Sequence, residues 1–144
     1  MFFSSLIFNP FTSFAKPIPN GFYIVMNTVR RCPNRVKSLD GSRQFCLPKE
    51  PVISEREIES VGELQTHPTL GFYYILIRLN AEGFNALRMV MDKLPGAQVT
   101  LVVNGKVAGT FEGLDKSIGR TITILGGQNN IEIDWIYQHL KKNR

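Results

Sequence analysis

Between Phe72 and Gly127 the spacing of hydrophobic and polar positions changes character three times. Tyr73-Tyr74-Ile75-Leu76-Ile77-Arg78-Leu79 is an apolar run of strand length. At Asn80-Ala81-Glu82-Gly83 it gives way to a helical spacing, with Phe84, Leu87, Met91 and Leu94 recurring on one face, Asn80 placed to cap and Pro95-Gly96 placed to stop. Gln98 to Val103 and Lys106 to Phe111 then predict two strands around Asn104-Gly105, a dipeptide that accepts positive φ at both turn positions. Arg120 to Leu125 predicts a further strand, and Gly126-Gly127 a backbone turn. Asn129 is placed to cap a last helix, with Glu132 three residues on, Ile133, Ile136, Tyr137 and Leu140 facing inward, and Lys141, Lys142 and Arg144 at the end where the helix dipole favours cations.

The first half reads less regularly. Phe22 to Val29 predicts a strand, with Arg43 to Leu47 as its short partner. Ser54-Glu55-Arg56-Glu57 has the form of a capping box and predicts a short helix through Ile58 and Val61. Gly62 to Thr66 and Phe72 to Leu79 predict two strands joined across His67-Pro68-Thr69-Leu70-Gly71. Strands and helices in this order predict an α+β fold: a mixed or antiparallel β-sheet with two longer helices packed on one face.

Composition supports one ordinary core. The chain has 144 residues, 43% hydrophobic and 20% charged, enough for a single domain to fold without metal or disulfide. No stretch approaches the roughly 20 apolar residues needed to cross a bilayer. The first 15 residues differ in kind: Met1 to Phe8 is apolar, and Ser13-Phe14-Ala15 places small residues where signal peptidase reads them, ahead of Lys16. Residues 1–15 are therefore expected to be a signal peptide and the chain periplasmic or secreted. Against that stand the lack of Lys or Arg ahead of the apolar stretch and the interruption at Asn9-Pro10. The other reading is a tail that packs its phenylalanines on the domain.

Cys32 and Cys46 flank a segment containing Asp40-Gly41, a dipeptide suited to a type I′ hairpin that would bring the two thiols together. A disulfide there would contribute on the order of 3 kcal/mol and would persist only in an oxidising compartment. Two unlinked thiols are the alternative. Zinc is not expected, because a Cys-x-x-Cys pair is lacking and only His67 and His139 could assist.

Charge is concentrated rather than spread. Arg30, Arg31, Arg35, Lys37, Arg43 and Lys49 stand against Asp40 alone, so the segment from Phe22 to Lys49 carries the net charge of the whole chain, +5. Arg30, Arg31, Arg35, Lys37 and Arg43 form the candidate binding face, suited to phosphate, nucleic acid or an acidic polypeptide. Aromatics are not interleaved with these bases in a stacking pattern, so a solvated basic face is the competing reading.

No catalytic residue, metal ligand or cofactor is assigned. Neither His67 nor His139 has a Ser, Cys or Asp companion in a motif, and Gly126-Gly127 lacks the Lys and Ser/Thr of a phosphate loop. Trp135 and Tyr137 read as packing residues.

From Cys46 to about Leu140 the sequence resembles the head subdomain of the first periplasmic domain of SecD and SecDF, membrane proteins that help drive protein export. The resemblance is carried by Phe45-Cys46-Leu47-Pro48 through Val52-Ile53-Ser54, by Ile77 to Leu79 with Asn80-Ala81-Glu82-Gly83, by Val99 to Val107, and by Ile122 to Gly127. It departs at Ala108-Gly109-Thr110, where family members often have a small residue followed by Pro, and the family's transmembrane helices have no counterpart here. The resemblance implies residues 50–144 as a SecD-head-like domain, compact with a basic β-hairpin segment at 16–49. It also implies a non-enzymatic role in binding polypeptide or an envelope protein partner. A small sheet with an uncovered edge could serve that role by accepting an extended peptide as an extra strand. The rivals are a cytosolic nucleic-acid or phosphate-binding protein using the Arg30 to Lys49 face, and a structural subunit of an envelope assembly.

Overall fold

The run from Tyr73 to Leu79 alternates sides as a pleated strand must, with Ile75, Ile77 and Leu79 fully buried and Arg78 in solvent. It forms the middle of one of two main sheets in a computed structural model that describes residues 18–27, 31–112, 119–125 and 130–142. In chain order the strands are β1 (Gly21–Ile24), β2 (Asn34–Lys37), β3 (Gln44–Leu47), β4 (Ile53–Ser54), β5 (Ile58–Val61), β6 (Gln65–Thr66) and β7 (Tyr73–Leu79). Helix α1 (Ala81–Lys93), strands β8 (Gln98–Val103), β9 (Lys106–Glu112) and β10 (Thr121–Leu125), and helix α2 (Asn130–Lys142) follow. One sheet has the order β4-β1-β8-β9, the second β10-β7-β5 with β6 also on β7, and β2-β3 is a separate hairpin.

Every ladder is antiparallel, and the parallel contact among the described residues is a single bridge from Ser38 to Val107. The chain is α+β, as expected. Both sheets and both helices feed one core: Phe22, Leu101 and Val103 from the first sheet, Ile77 and Ile122 from the second, Leu87 from α1, and Ile133, Ile136 and Leu140 from α2. Burying such side chains is worth roughly 1.5–3 kcal/mol each, which is what orders the layers. β8 is buried on both faces: Val99, Leu101 and Val103 enter this core, while Val102 enters a second cluster with Tyr23, Val36, Phe45, Leu47 and Val107. That second cluster is where the β2-β3 hairpin seats on the outer face of the first sheet.

Two local signals act as expected. Asn80 accepts a hydrogen bond from the Gly83 amide at 2.8 Å and starts α1. Asn104 and Gly105 have φ of 51° and 76° and close the β8-β9 hairpin. Leu87 is the buried apolar residue of α1, whereas Leu94, expected on the same inward face, lies past the helix end and is 51% exposed. Asn129, Gly126 and Gly127 lie outside the described residues, as do residues 1–15.

Three expectations are corrected. The helix predicted through Ile58 and Val61 is one 3₁₀ turn, Glu55–Glu57, followed directly by β5. Glu57 does reach back to the Ser54 amide at 2.9 Å, but the β-branched Ile58 and Val61 pair with Leu79 and Ile77 of β7. A register shift between Ile58 and Ser60 lets both residues, three apart, point into the core, so a bulge reproduces a helical spacing. Next, the strand predicted over Phe22 to Val29 ends at Ile24 and pairs with β4 and β8, and the partner of β3 is β2. A position central to the sheet, with Phe22 and Tyr23 buried on opposite faces, outweighs the sequence proximity of the basic segment. Last, of Asp40 and Gly41 only Gly41 has a positive φ, 76°, so the hairpin turn is not type I′. Gly41 N–H instead donates to the Ser38 carbonyl at 3.0 Å, within a loop closed by Ser38 N–H to the Arg43 carbonyl at 2.9 Å.

Candidate binding surfaces

The β2-β3 hairpin separates apolar from charged residues by its pleat. In register, Val36 opposes Phe45 and Asn34 opposes Leu47 on the side that seats on the sheet, while Arg35 opposes Cys46 and Lys37 opposes Gln44 on the other. Alternation therefore places Arg35 and Lys37 together in solvent. Cys32 and Cys46 are joined by a disulfide with their Cα atoms 5.6 Å apart. The bonded cysteine holds Arg31, exposed with φ 56°, beside the hairpin. Arg30 lies outside the described residues.

Arg43 is positioned by its neighbours. Its amide donates to Ser38 Oγ at 3.1 Å and its guanidinium lies 4.7 Å from the centroid of the buried Phe45 ring. Asp40, the acid of this turn, accepts from the Ser42 amide at 2.9 Å and from the Ser42 and Ser38 hydroxyls at 2.7 Å each. These bonds, the Ser42 amide foremost, hold its carboxyl down at a pKa of about 2. A groove of about 320 Å³ opens where the segment after β1 and the start of β8 meet the hairpin. Of the five proposed basic residues, Arg35 and Arg43 line it; Lys37 and Arg31 do not.

The groove was not legible in the sequence, because Val25, Met26 and Gln98 reach it only through tertiary bonds. Val25 N–H donates to the Gln98 carbonyl at 2.9 Å and Met26 N–H to the Cys46 carbonyl at 2.8 Å. Behind the hairpin, Tyr23 is buried and donates its hydroxyl to the Pro19 carbonyl at 2.6 Å. Burial, aided by Glu50, pushes its pKa up to about 12.

The histidines are accounted for by local structure. His67 Nδ1 accepts from the Thr69 and Leu70 amides at 3.2 and 3.1 Å and so shapes its own loop. His139 stacks on Trp135 with ring centroids 4.1 Å apart, one turn along α2. Tyr137 and Lys141 converge on Glu63 at 2.6 and 2.9 Å and tie α2 to the loop after β5. The hydrogen bond from Lys141 leads in lowering the Glu63 carboxyl below its usual range. Among the described residues, no three His, Cys, Asp or Glu side chains gather to hold a metal.

The other candidate surface is backbone. β10 is an edge strand, bonded on one side to β7. Leu79 N–H donates to the Arg120 carbonyl at 2.7 Å, so in this ladder Ile122 and Ile124 bond to β7. The intervening Thr121, Thr123 and Leu125 then turn their N–H and C=O groups away from β7. No strand of the described residues meets that edge. The other edges are less available: β9 is met by the hairpin at Val107, β5 carries a bulge, and β4 and β6 are two residues long.

No protein-family model matches this chain. No curated protein matches it either. Solved structures of SecDF do. SecDF in its super-membrane-facing form superposes with a TM-score of 0.59 at 16% identity, over 85% of this chain and 18% of that chain. A second, described as a membrane component SecDF that enhances protein export, superposes with a TM-score of 0.59 at 15% identity, over 85% of this chain and 61% of that one. The chain thus has a SecD-like fold of the periplasmic head type, and it spans less than two thirds of either SecDF chain. Among the described residues no helix is long and apolar enough to cross a membrane.

Proposed function

We propose that this chain is an exported, non-enzymatic domain that binds polypeptide in extended form by adding it as a strand to β10. The observation that carries the reading is the outward row of backbone groups at Thr121, Thr123 and Leu125, on a strand free of Pro, Lys and bulges. Natural sheets blunt such edges when they are not used. An added strand gains main-chain hydrogen bonds with little demand on peptide sequence, which suits a binder of many chains. Each such bond nets about 0.5–1.5 kcal/mol and association itself costs several kcal/mol, so a contact over these three residues alone is weak.

Export is supported by the Cys32–Cys46 disulfide, a bond that persists in oxidising compartments, and by the fold shared with SecDF, which is described as enhancing protein export. The nucleic-acid reading has less behind it. Phe45, the aromatic nearest the arginines, is buried and covered by Arg43, so it offers no stacking platform for a base.

Thr123→Pro tests the reading. The Thr123 N–H points away from β7, so proline removes an outward donor without breaking the β7 ladder. The variant is expected to keep its fold by circular dichroism and to lose binding to unfolded peptides, measured by fluorescence anisotropy. Wild-type binding in a folded Thr123→Pro variant would refute strand addition at β10.

A further inference from the structure

The groove beside the disulfide pairs two features that a solvated basic face does not need. Arg35 and Arg43 line it, with Phe45 beneath the Arg43 guanidinium, while Val25 and Met26 give it an apolar floor. No carboxylate belongs to its lining, and no carboxylate of the described residues pairs with the Arg43 guanidinium. The nearest acid of the turn, Asp40, is committed to Ser38 and Ser42. The frame is also fixed: the disulfide and the bonds from Met26 to Cys46 and from Val25 to Gln98 join the walls, and Phe45 supports one guanidinium from below.

We propose that this groove receives the free C-terminal carboxylate of a polypeptide, with the last side chain resting on the apolar floor. The proposal depends on the chain binding polypeptide, but not on β10 being the place where a strand adds. Planar guanidinium forks match a carboxylate in two parallel hydrogen bonds, and apolar surface immediately beside them selects an anion attached to a hydrophobic group. A volume of about 320 Å³ lies at the small end of ligand pockets, suited to a chain terminus rather than to a folded surface or a nucleotide run. Capture of a C-terminal carboxylate is a recurring mode of peptide recognition.

The test uses the whole chain with its disulfide intact and two forms of one extended peptide ending in leucine, with a free carboxylate or a terminal amide. Backbone amide shifts are followed during titration. The free-acid peptide is expected to move the Cys46 and Gln98 amides, with amidation weakening that response by about tenfold. Arg43→Gln, an exposed substitution, is expected to erase the difference between the two peptides. Equal responses to acid and amide, or silent groove amides while Thr123 still shifts, would overturn the carboxylate site and leave strand addition standing. Groove amides that separate acid from amide while Thr123 stays silent would support the site and remove strand addition. Inorganic phosphate moving the groove amides more strongly than the free-acid peptide would overturn the assignment in favour of a phosphate ligand.

Discussion

The two faces of the β4-β1-β8-β9 sheet are covered in different ways. One face meets a second sheet and two helices, and its core draws on every layer of the fold. Among the described residues, the other meets a single two-stranded hairpin, and its cluster has six buried members. A lone hairpin is marginal in water. Here it is held by Val36, Phe45 and Leu47 beneath it, by a disulfide at its open end and by the Ser38-Asp40-Ser42 network at its turn. The thinly covered face is also the one that carries Arg35, Lys37 and Arg43 in solvent. Burial therefore maintains the deep side, and covalent and polar fastenings maintain the side that displays charge.

Core truncation should separate the two faces most strongly. Leu101→Ala, in the deep core, is expected to cost about 2–5 kcal/mol, whereas Val36→Ala under the hairpin should cost about 1.5–2 kcal/mol. Urea unfolding with unchanged slopes would read both, and a larger loss at Val36 would invert the comparison. Reducing the Cys32–Cys46 bond, a separation of 14 residues, should cost on the order of 3 kcal/mol. The loss should be uneven: hydrogen exchange at Val36 and Phe45 should speed up while Ile77 and Ile122 stay protected. Uniform acceleration would show that the two faces are one cooperative unit.

A smaller effect, about 1 kcal/mol, is expected from Asn80→Ala, which deletes the α1 cap on the deep side. Its fraying should appear in the exchange of the Gly83 amide and leave the hairpin unchanged.

The remaining expected effects are those of pH, and both belong to the hairpin side. Tyr23 has its folded pKa raised from 10.0 to about 12, so the stability it contributes is complete below pH 10 and is lost as pH rises towards 12. Asp40 has its pKa lowered from 3.8 to about 2, so its contribution is present above pH 3.8 and fades as pH falls towards 2. Exchange at the Phe45 amide should therefore accelerate at both extremes. A flat profile, or one matched at Ile77, would separate pH response from the hairpin.

Much of the deep side can be read from the chain, because its signals are local. Asn80 caps, Asn104-Gly105 turns, and Ile75, Ile77 and Leu79 alternate, each with its cause within a few residues. The stretch from Ser54 to Val61 misleads because capping chemistry and a three-residue apolar spacing also fit a 3₁₀ turn followed by a bulged strand. β1 misleads because its partners are 30 or more residues away, Ile53 on one side and Leu101 on the other. The basic residues were legible as a cluster, but not as two groups. Only the pleat of β2 and β3, the Phe45 ring and the Met26 to Cys46 bond show which arginines share a groove. The edge of β10 was legible only as a possibility, since which strand ends a sheet depends on pairing across the whole chain.

The measurement that bears most directly on the account is amide hydrogen exchange, residue by residue, with and without a saturating unfolded peptide. Strand addition predicts that the outward amides of Thr121 and Thr123 become protected, while Ile122 and Ile124, already bonded to β7, change little. Unprotected Thr121 and Thr123 amides at a peptide concentration where binding is complete would contradict it.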